Sequence, residues 1–131
     1  SHCPVLVVEG QYGKLRSLDE PSQAIGVHAR TRPVITELPI TQGLHIVTFT
    51  DGVLSAGVRY GTRFDVAAFV GERLAWLAPE RMARELADAL LGQAVALDRG
   101  RPGDDITVLV VSVVPRQQSD EARRLSVRFP I

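Results

Sequence analysis

A predicted buried strand that ends in an acid constrains the fold of this 131-residue chain more than any other feature. Residues 45–50 read His-Ile-Val-Thr-Phe-Thr, and a run so rich in β-branched and aromatic residues predicts a strand covered on both faces. Asp51 and Gly52 follow directly, and the glycine allows the backbone to turn tightly and leaves room beside the carboxylate. A lone Asp-Gly pair is usually a plain turn in which the aspartate bonds its own backbone. Asp51 therefore becomes a candidate functional residue only with support from a second site.

That second site is an acidic motif before another apolar run. Asp104 and Asp105 follow Gly103 and lead into residues 106–111, which read Ile-Thr-Val-Leu-Val-Val. If the two predicted strands are neighbours in one sheet, Asp51 and Asp104 can converge. Carboxylate oxygens are the ligands that Mg²⁺ and Mn²⁺ prefer in proteins. The two motifs together predict a divalent metal site, and the alternative is two independent solvated turns.

Composition limits the class of protein. The length suits a single domain. The 15 basic residues balance the 15 acidic ones without a basic cluster, so we expect no nucleic-acid partner. Cys3 is the only cysteine and cannot form an internal disulfide, and no segment resembles a membrane helix or a signal peptide. We therefore expect a cytoplasmic protein with a protein or small-molecule partner.

Patterning predicts further strands in the first half of the chain. Residues 5–8 and 14–18 are expected to form a hairpin around a glycine-containing turn, with the polar second arm at an exposed edge. Residues 34–40 alternate between apolar and other side chains, which predicts a half-exposed strand. Pairing of that strand with the central one would make residues 34–50 a second hairpin.

Two amphipathic helices are predicted in the second half. The glycine-rich residues 53–61 indicate a loop beside Asp51, after which Thr62 is a possible helix cap. Phe64 and Trp76 are expected to add to the packing of the first helix. Pro79 suits the first turn of the second helix.

The last predicted strand sets the layer architecture. Residues 105–114 are apolar on both faces, so the strand needs helices on one side and a second sheet on the other. The expected fold class is therefore α+β, with a layered sandwich of antiparallel strands and two helices. Residues 115–131 are expected to be a tail or linker that could include a further strand.

The motifs at residues 49–53 and 103–111 resemble, in order and spacing, the C-terminal half of the bacterial sporulation stage II E (SpoIIE) family of serine/threonine phosphatases. That family is a branch of the metal-dependent protein phosphatase 2C superfamily. The resemblance covers residues 1–114, which would be the C-terminal part of a phosphatase domain. It implies an α-β-β-α sandwich, of which this chain carries one part.

The resemblance also implies roles for four residues. Asp51 would bind and bridge two Mn²⁺ or Mg²⁺ ions, and Asp104 would bind one of them. Gly52 and Asp105 would support the site from beside the metals. The implied reaction is hydrolysis of a phosphomonoester by a metal-activated water, without a covalent phosphoenzyme. No substrate-binding residue can be assigned from the sequence.

The chain departs from the family pattern at its beginning. The family's N-terminal motif, an Asp followed by Gly-His-Gly, has no match here. His2, His28 and His45 stand in other contexts and are interpreted as structural or exposed. We therefore expect the 131-residue chain to be inactive alone, and to pair with a missing N-terminal half or form a homodimer.

Two functions remain open, beside a third interpretation in which the acidic loops bind no metal at all. The first is a phosphoprotein phosphatase of bacterial signalling, in sporulation or stress regulation, whose substrate could be an anti-sigma-factor antagonist. The second is a regulatory binding module that keeps the scaffold without the chemistry. An Asp and Gly-His-Gly motif upstream of residue 1 would favour the enzyme.

Overall fold

A four-stranded antiparallel sheet forms the centre of the fold. The computed structural model describes residues 3–10, 13–21, 26–27, 29–30 and 33–115. The strand order is β2-β1-β3-β4. The strands are β1 (Val5–Glu9), β2 (Lys14–Leu18), β3 (His45–Phe49) and β4 (Val108–Ser112).

The predicted central strand, β3, has a neighbour on each side. Val47 lies opposite Leu6 of β1 on one side and opposite Val110 of β4 on the other. Val47 is fully buried, as expected for an inner strand covered on its helix side. The predicted hairpin of β1 and β2 is confirmed, with β2 at the edge of the sheet.

Three helices follow β3: α1 (Asp51–Ser55), α2 (Val66–Leu74) and α3 (Pro79–Leu97). Asp65 caps α2, since its side chain accepts a hydrogen bond of 2.9 Å from the backbone N–H of Ala68. The prediction of Thr62 as the cap is wrong, because α2 begins only at Val66 and the residue before its first turn is Asp65. Pro79 occupies the first turn of α3, as predicted.

The hydrophobic core lies between one face of the sheet and helices α2 and α3. The apolar stripe of α3 supplies Leu86 and Leu90, both 0% exposed, which belong to the same core as Val47 and Phe49 of β3. Burial of such side chains stabilises the fold by about 1.5–3 kcal/mol each. The α+β prediction is therefore confirmed, with helices on one face of an antiparallel sheet.

The opposite face of the sheet is apolar and partly open. Leu109 and Val111 of β4 are 57% and 48% exposed, and their partners in register are Thr48 and Ile46 of β3. The described residues therefore cover the sheet with helices on one side only. A layered sandwich would place its second sheet against this outer face.

Several local predictions are wrong. Residues 34–40 form no strand, because both edges of β3 are already taken by β1 and β4. Residues 53–61 are not a plain loop, since they include the end of α1 and a 3₁₀ turn at Val58–Tyr60. Trp76 is 85% exposed and adds little to the packing of α2.

Other predictions concern residues that lie partly or wholly outside the described ranges. The last strand is shorter than predicted, and of the predicted tail at 115–131 only residue 115 is among the described residues. His2 and His28 also lie outside them. Within the described ranges, no helix is long and apolar enough to cross a membrane.

His45 begins β3 on the helix side of the sheet and is 3% exposed. Its Nδ1 lies 2.7 Å from Oγ of Ser112, its partner in register on β4. Burial lowers the pKa of His45 from its ordinary value of 6.5, because a charged imidazolium loses its hydration in this position.

This pKa shift makes stability depend on pH. The unfolded chain binds a proton at His45 more readily than the folded chain does, so the free energy of unfolding should fall as the pH drops below 6.5. We expect the decrease between pH 7.5 and 5.5 to be smaller in His45→Gln. Urea denaturation of both proteins at the two pH values measures it, and equal decreases would contradict the prediction.

Candidate metal centre

The two acidic motifs meet at one edge of the sheet, namely where β3 ends and β4 begins. Because β3 and β4 are antiparallel and Phe49 pairs with Val108, the chain leaves β3 at the edge where it enters β4. Asp51 begins α1 just after β3, and Asp104 lies on the loop before β4. The sheet therefore satisfies the condition under which the sequence predicts convergence.

Thr50 ties the two segments together. Its backbone N–H donates to the carbonyl of Thr107 at 3.1 Å. Its hydroxyl donates to the carbonyl of Asp105 at 2.9 Å and accepts from the N–H of Thr107 at 2.9 Å. Three hydrogen bonds thus fix the loop of Asp104 and Asp105 beside the residue that precedes Asp51.

At Gly52, the backbone of α1 lies directly against the backbone of the acidic loop. A Cβ added there would lie 2.3 Å from the carbonyl oxygen of Asp105 and 3.0 Å from its carbonyl carbon. No side chain fits in that space without movement of the backbone. The room that glycine leaves beside Asp51 is therefore occupied by the acidic loop itself.

The three carboxylates differ in their surroundings. Asp51 is partly buried, whereas Asp104 and Asp105 are exposed. One oxygen of Asp104, Oδ1, accepts a hydrogen bond of 2.8 Å from the N–H of Asp105. The second oxygen of Asp104 makes no hydrogen bond within the described ranges, so it is available to a ligand.

Cys3 lies close enough to Asp51 for the carboxylate charge to act on its thiol. Burial and, second, the negative charge of Asp51 raise the pKa of the Cys3 thiol. A thiol binds metals as the thiolate, and the raised pKa keeps Cys3 protonated near neutral pH. Mg²⁺ and Mn²⁺ also prefer oxygen to the softer sulfur, so the carboxylates and not Cys3 are the candidate ligands.

The candidate ligand atoms are of the type that a hard divalent cation binds, but there are too few of them to complete its coordination. Asp51 and Asp104 offer carboxylate oxygens, which Mn²⁺ and Mg²⁺ prefer. Among the residues that the structure describes, no three His, Cys, Asp or Glu side chains form a group that could hold a metal. Six-coordinate ions would need further ligands, from water, substrate or another segment.

Two neighbours of the site were missed by sequence reasoning. The first is Thr50, whose hydrogen bonds depend on the pairing of β3 with β4. The second is Arg59 on the 3₁₀ turn, whose Nη2 lies 2.8 Å from the position of a Cβ added at Gly103. The glycines at 57 and 61, which flank this turn, are a sequence signal for the turn itself but not for the approach of Arg59 to Gly103.

Comparison with solved structures identifies the class of fold. The chain is similar to the phosphatase domain of the cell fate determinant SpoIIE from Bacillus subtilis, with a TM-score of 0.56 and 18% sequence identity. The match covers 89% of this chain and 50% of that domain. The chain thus spans about half the length of the solved domain and has the fold of that part.

Comparison with family models identifies the family. The model of stage II sporulation protein E (SpoIIE) matches residues 1–114, so the chain belongs to the SpoIIE family. The resemblance predicted from the acidic motifs is confirmed. No curated protein matches the chain.

Proposed function

We propose that this chain is the C-terminal part of a metal-dependent serine/threonine phosphoprotein phosphatase. The observation that supports the proposal is that the segments carrying Asp51 and Asp104 lie side by side at the same end of β3 and β4, in a member of the SpoIIE family. The roles of both residues as metal ligands, and those of Gly52 and Asp105 as supports, remain predictions. The domain boundary near residue 114 also stays a proposal.

The proposed mechanism assigns a task to each part of the site. Asp51 and Asp104 would hold the metals, and Thr50 keeps the Asp104 loop in reach through its three hydrogen bonds. Two bound Mn²⁺ or Mg²⁺ ions would supply an activated water and neutralise phosphate charge. In that reaction the water oxygen would bond to phosphorus as the bond from phosphorus to the seryl or threonyl oxygen breaks, and that oxygen would leave with a proton that the water gives up.

The substrate and cellular role extend this proposal. The substrate would be a phosphorylated regulatory protein in the bacterial cytoplasm, for which an anti-sigma-factor antagonist is a candidate. Sporulation or stress signalling would be the setting. The family membership supports these assignments, and their test is dephosphorylation of such a protein.

The open outer face of the sheet supports the proposal that more chain is needed. Leu109 and Val111 are 57% and 48% exposed, so covering the rest of each would contribute roughly half of the about 1.5–3 kcal/mol of full burial, which favours coverage by an N-terminal half or by a second copy. The incomplete ligand set points the same way, because two carboxylates do not fill two octahedral sites.

A regulatory binding module on the same scaffold is the second candidate. The observation in its favour is that no three His, Cys, Asp or Glu side chains among the described residues form a group that could hold a metal. Such a module would bind a phosphoprotein or a regulator without turnover. It would be the better proposal if the parent protein also lacked the Asp and Gly-His-Gly motif.

One assay separates the two candidates. The parent protein should release phosphate from a phosphoserine protein with Mn²⁺, and chelation by EDTA should remove that activity. The 131-residue chain alone should show negligible turnover. It should also self-associate, which light scattering measures. Absence of Mn²⁺-dependent turnover in the parent protein would overturn the enzyme proposal, and robust turnover by the isolated chain would show that its ligand set is complete.

A further inference from the structure

Arg59 places a positive charge beside the acidic loop. It lies on the 3₁₀ turn at Val58–Tyr60, and its guanidinium packs over Gly103, the residue that precedes Asp104. A Cβ at Gly103 would lie 2.8 Å from Nη2 of Arg59. A side chain larger than hydrogen at 103 would therefore displace the guanidinium from this position.

The turn that carries Arg59 is fixed from both ends. Gly57 and Gly61 adopt positive φ angles of 79° and 78°, which favour glycine. The N–H of Gly57 donates to Oδ1 of the buried Asp98 at 2.9 Å. The guanidinium of Arg99 stacks on the ring of Tyr60, with 4.2 Å between the guanidinium carbon and the ring centroid. These contacts fix the backbone of the turn from which the Arg59 side chain reaches Gly103.

The charge of Arg59 is not neutralised within the described ranges. The ion pairs there are Arg16 with Glu9, Arg81 with Glu85, and Arg84 with Asp88. Arg59 forms no such pair with Asp104 or Asp105, although it packs on the residue next to Asp104. Its donors therefore remain available to an anion that arrives at this edge.

We propose that Arg59 binds the phosphate group of the substrate. A guanidinium presents parallel N–H donors that match two phosphate oxygens, which gives strong and oriented hydrogen bonds. This inference rests on the proposed phosphatase function and assigns it a substrate-binding residue. The ligand recognised is a phosphomonoester dianion, held between Arg59 and the edge that carries Asp51 and Asp104.

The test uses the parent protein with Mn²⁺ and a phosphoserine protein. Hydrogen bonds to charged groups contribute about 1.5–3 kcal/mol, which corresponds to about 10–150-fold. We expect Arg59→Ala to reduce kcat/KM by that factor, mainly through KM, and Arg59→Lys to restore part of it. Arg63→Ala, an exposed arginine of the same loop, should match the wild type.

A second variant and a binding measurement separate this role from a structural one. Gly103→Ala should weaken substrate binding in the same direction, because it displaces the guanidinium without removing it. Inhibition by inorganic phosphate should weaken in Arg59→Ala, while Mn²⁺ affinity by calorimetry should stay unchanged. A loss of Mn²⁺ affinity with constant KM would show a structural role and overturn the proposal.

The outcome remains interpretable if the phosphatase proposal fails. A parent protein without turnover would overturn that proposal, and calorimetry with Mn²⁺ and inorganic phosphate would then test Arg59 directly. Weaker phosphate binding in Arg59→Ala than in Arg63→Ala would support the anion site. Equal binding in both variants would overturn it.

Discussion

Replacement of Asp51 or Asp104 by asparagine is expected to reduce Mn²⁺-dependent phosphate release by more than 100-fold in the parent protein. Each change removes a charged oxygen ligand and keeps the shape of the side chain. Loss of partners that only support metal ligands typically costs about 10–100-fold, so loss of a direct ligand should exceed that range. Phosphate release from a phosphoserine protein measures the effect.

A matched control is available on α3. Asp88 is an exposed aspartate whose contact with Arg84 is 3.9 Å long, and Asp88→Asn should leave turnover unchanged. Asp105→Asn should have a smaller effect than Asp104→Asn, since the Asp105 group that holds the loop is its backbone carbonyl. Near wild-type turnover in both Asp51→Asn and Asp104→Asn would refute the metal assignment.

The fold could be predicted where local pattern and tertiary position agree. The apolar run of β3 was recognised because an inner strand needs buried side chains, and Val47 is buried between β1 and β4. The stripe of α3 was recognised because Leu86 and Leu90 repeat at the spacing of one helical turn. In each case the sequence pattern reflects the surface that the element buries.

Predictions failed where a neighbour decided the outcome. Residues 34–40 alternate like a strand, but β3 has no free edge for them, and Ile35 and Ile40 are 81% and 75% exposed. A pattern of alternation does not show whether a pairing partner is free. Trp76 failed for a related reason, since an apolar side chain near a helix end need not face the core.

The candidate site was predictable in part. Asp51 and Asp104 stand out because each acid adjoins an apolar strand, and strand pairing brings their segments together as expected. Thr50 and Arg59 carry no comparable signal, because their contacts join segments more than 40 residues apart in sequence. Only the register of β3 with β4 and the fold of the 3₁₀ turn reveal them.

Gly52→Ala is expected to destabilise the chain, although helix propensity alone predicts the reverse. Gly52 lies within α1, where alanine is favoured over glycine by about 1 kcal/mol. The added Cβ would meet the carbonyl oxygen of Asp105 at 2.3 Å, and this contact is with backbone that cannot rotate away. Overpacking of this kind typically costs about 1–3 kcal/mol, so the contact should outweigh the propensity.

Gly92→Ala supplies the matched control, because Gly92 lies within α3 with nothing within 4 Å of an added Cβ. That variant should gain up to about 1 kcal/mol in the free energy of unfolding, so the two alanines should differ in sign. Urea denaturation of both variants measures the difference. In Gly52→Ala the displaced Asp105 backbone should also strain the hydrogen bonds from Thr50 and move Asp104, so Mn²⁺ affinity in the parent protein should fall together with stability. Equal stabilisation by both alanines would mean that the acidic loop does not pack on Gly52 in solution, and the predicted convergence of Asp51 and Asp104 would lose its structural basis.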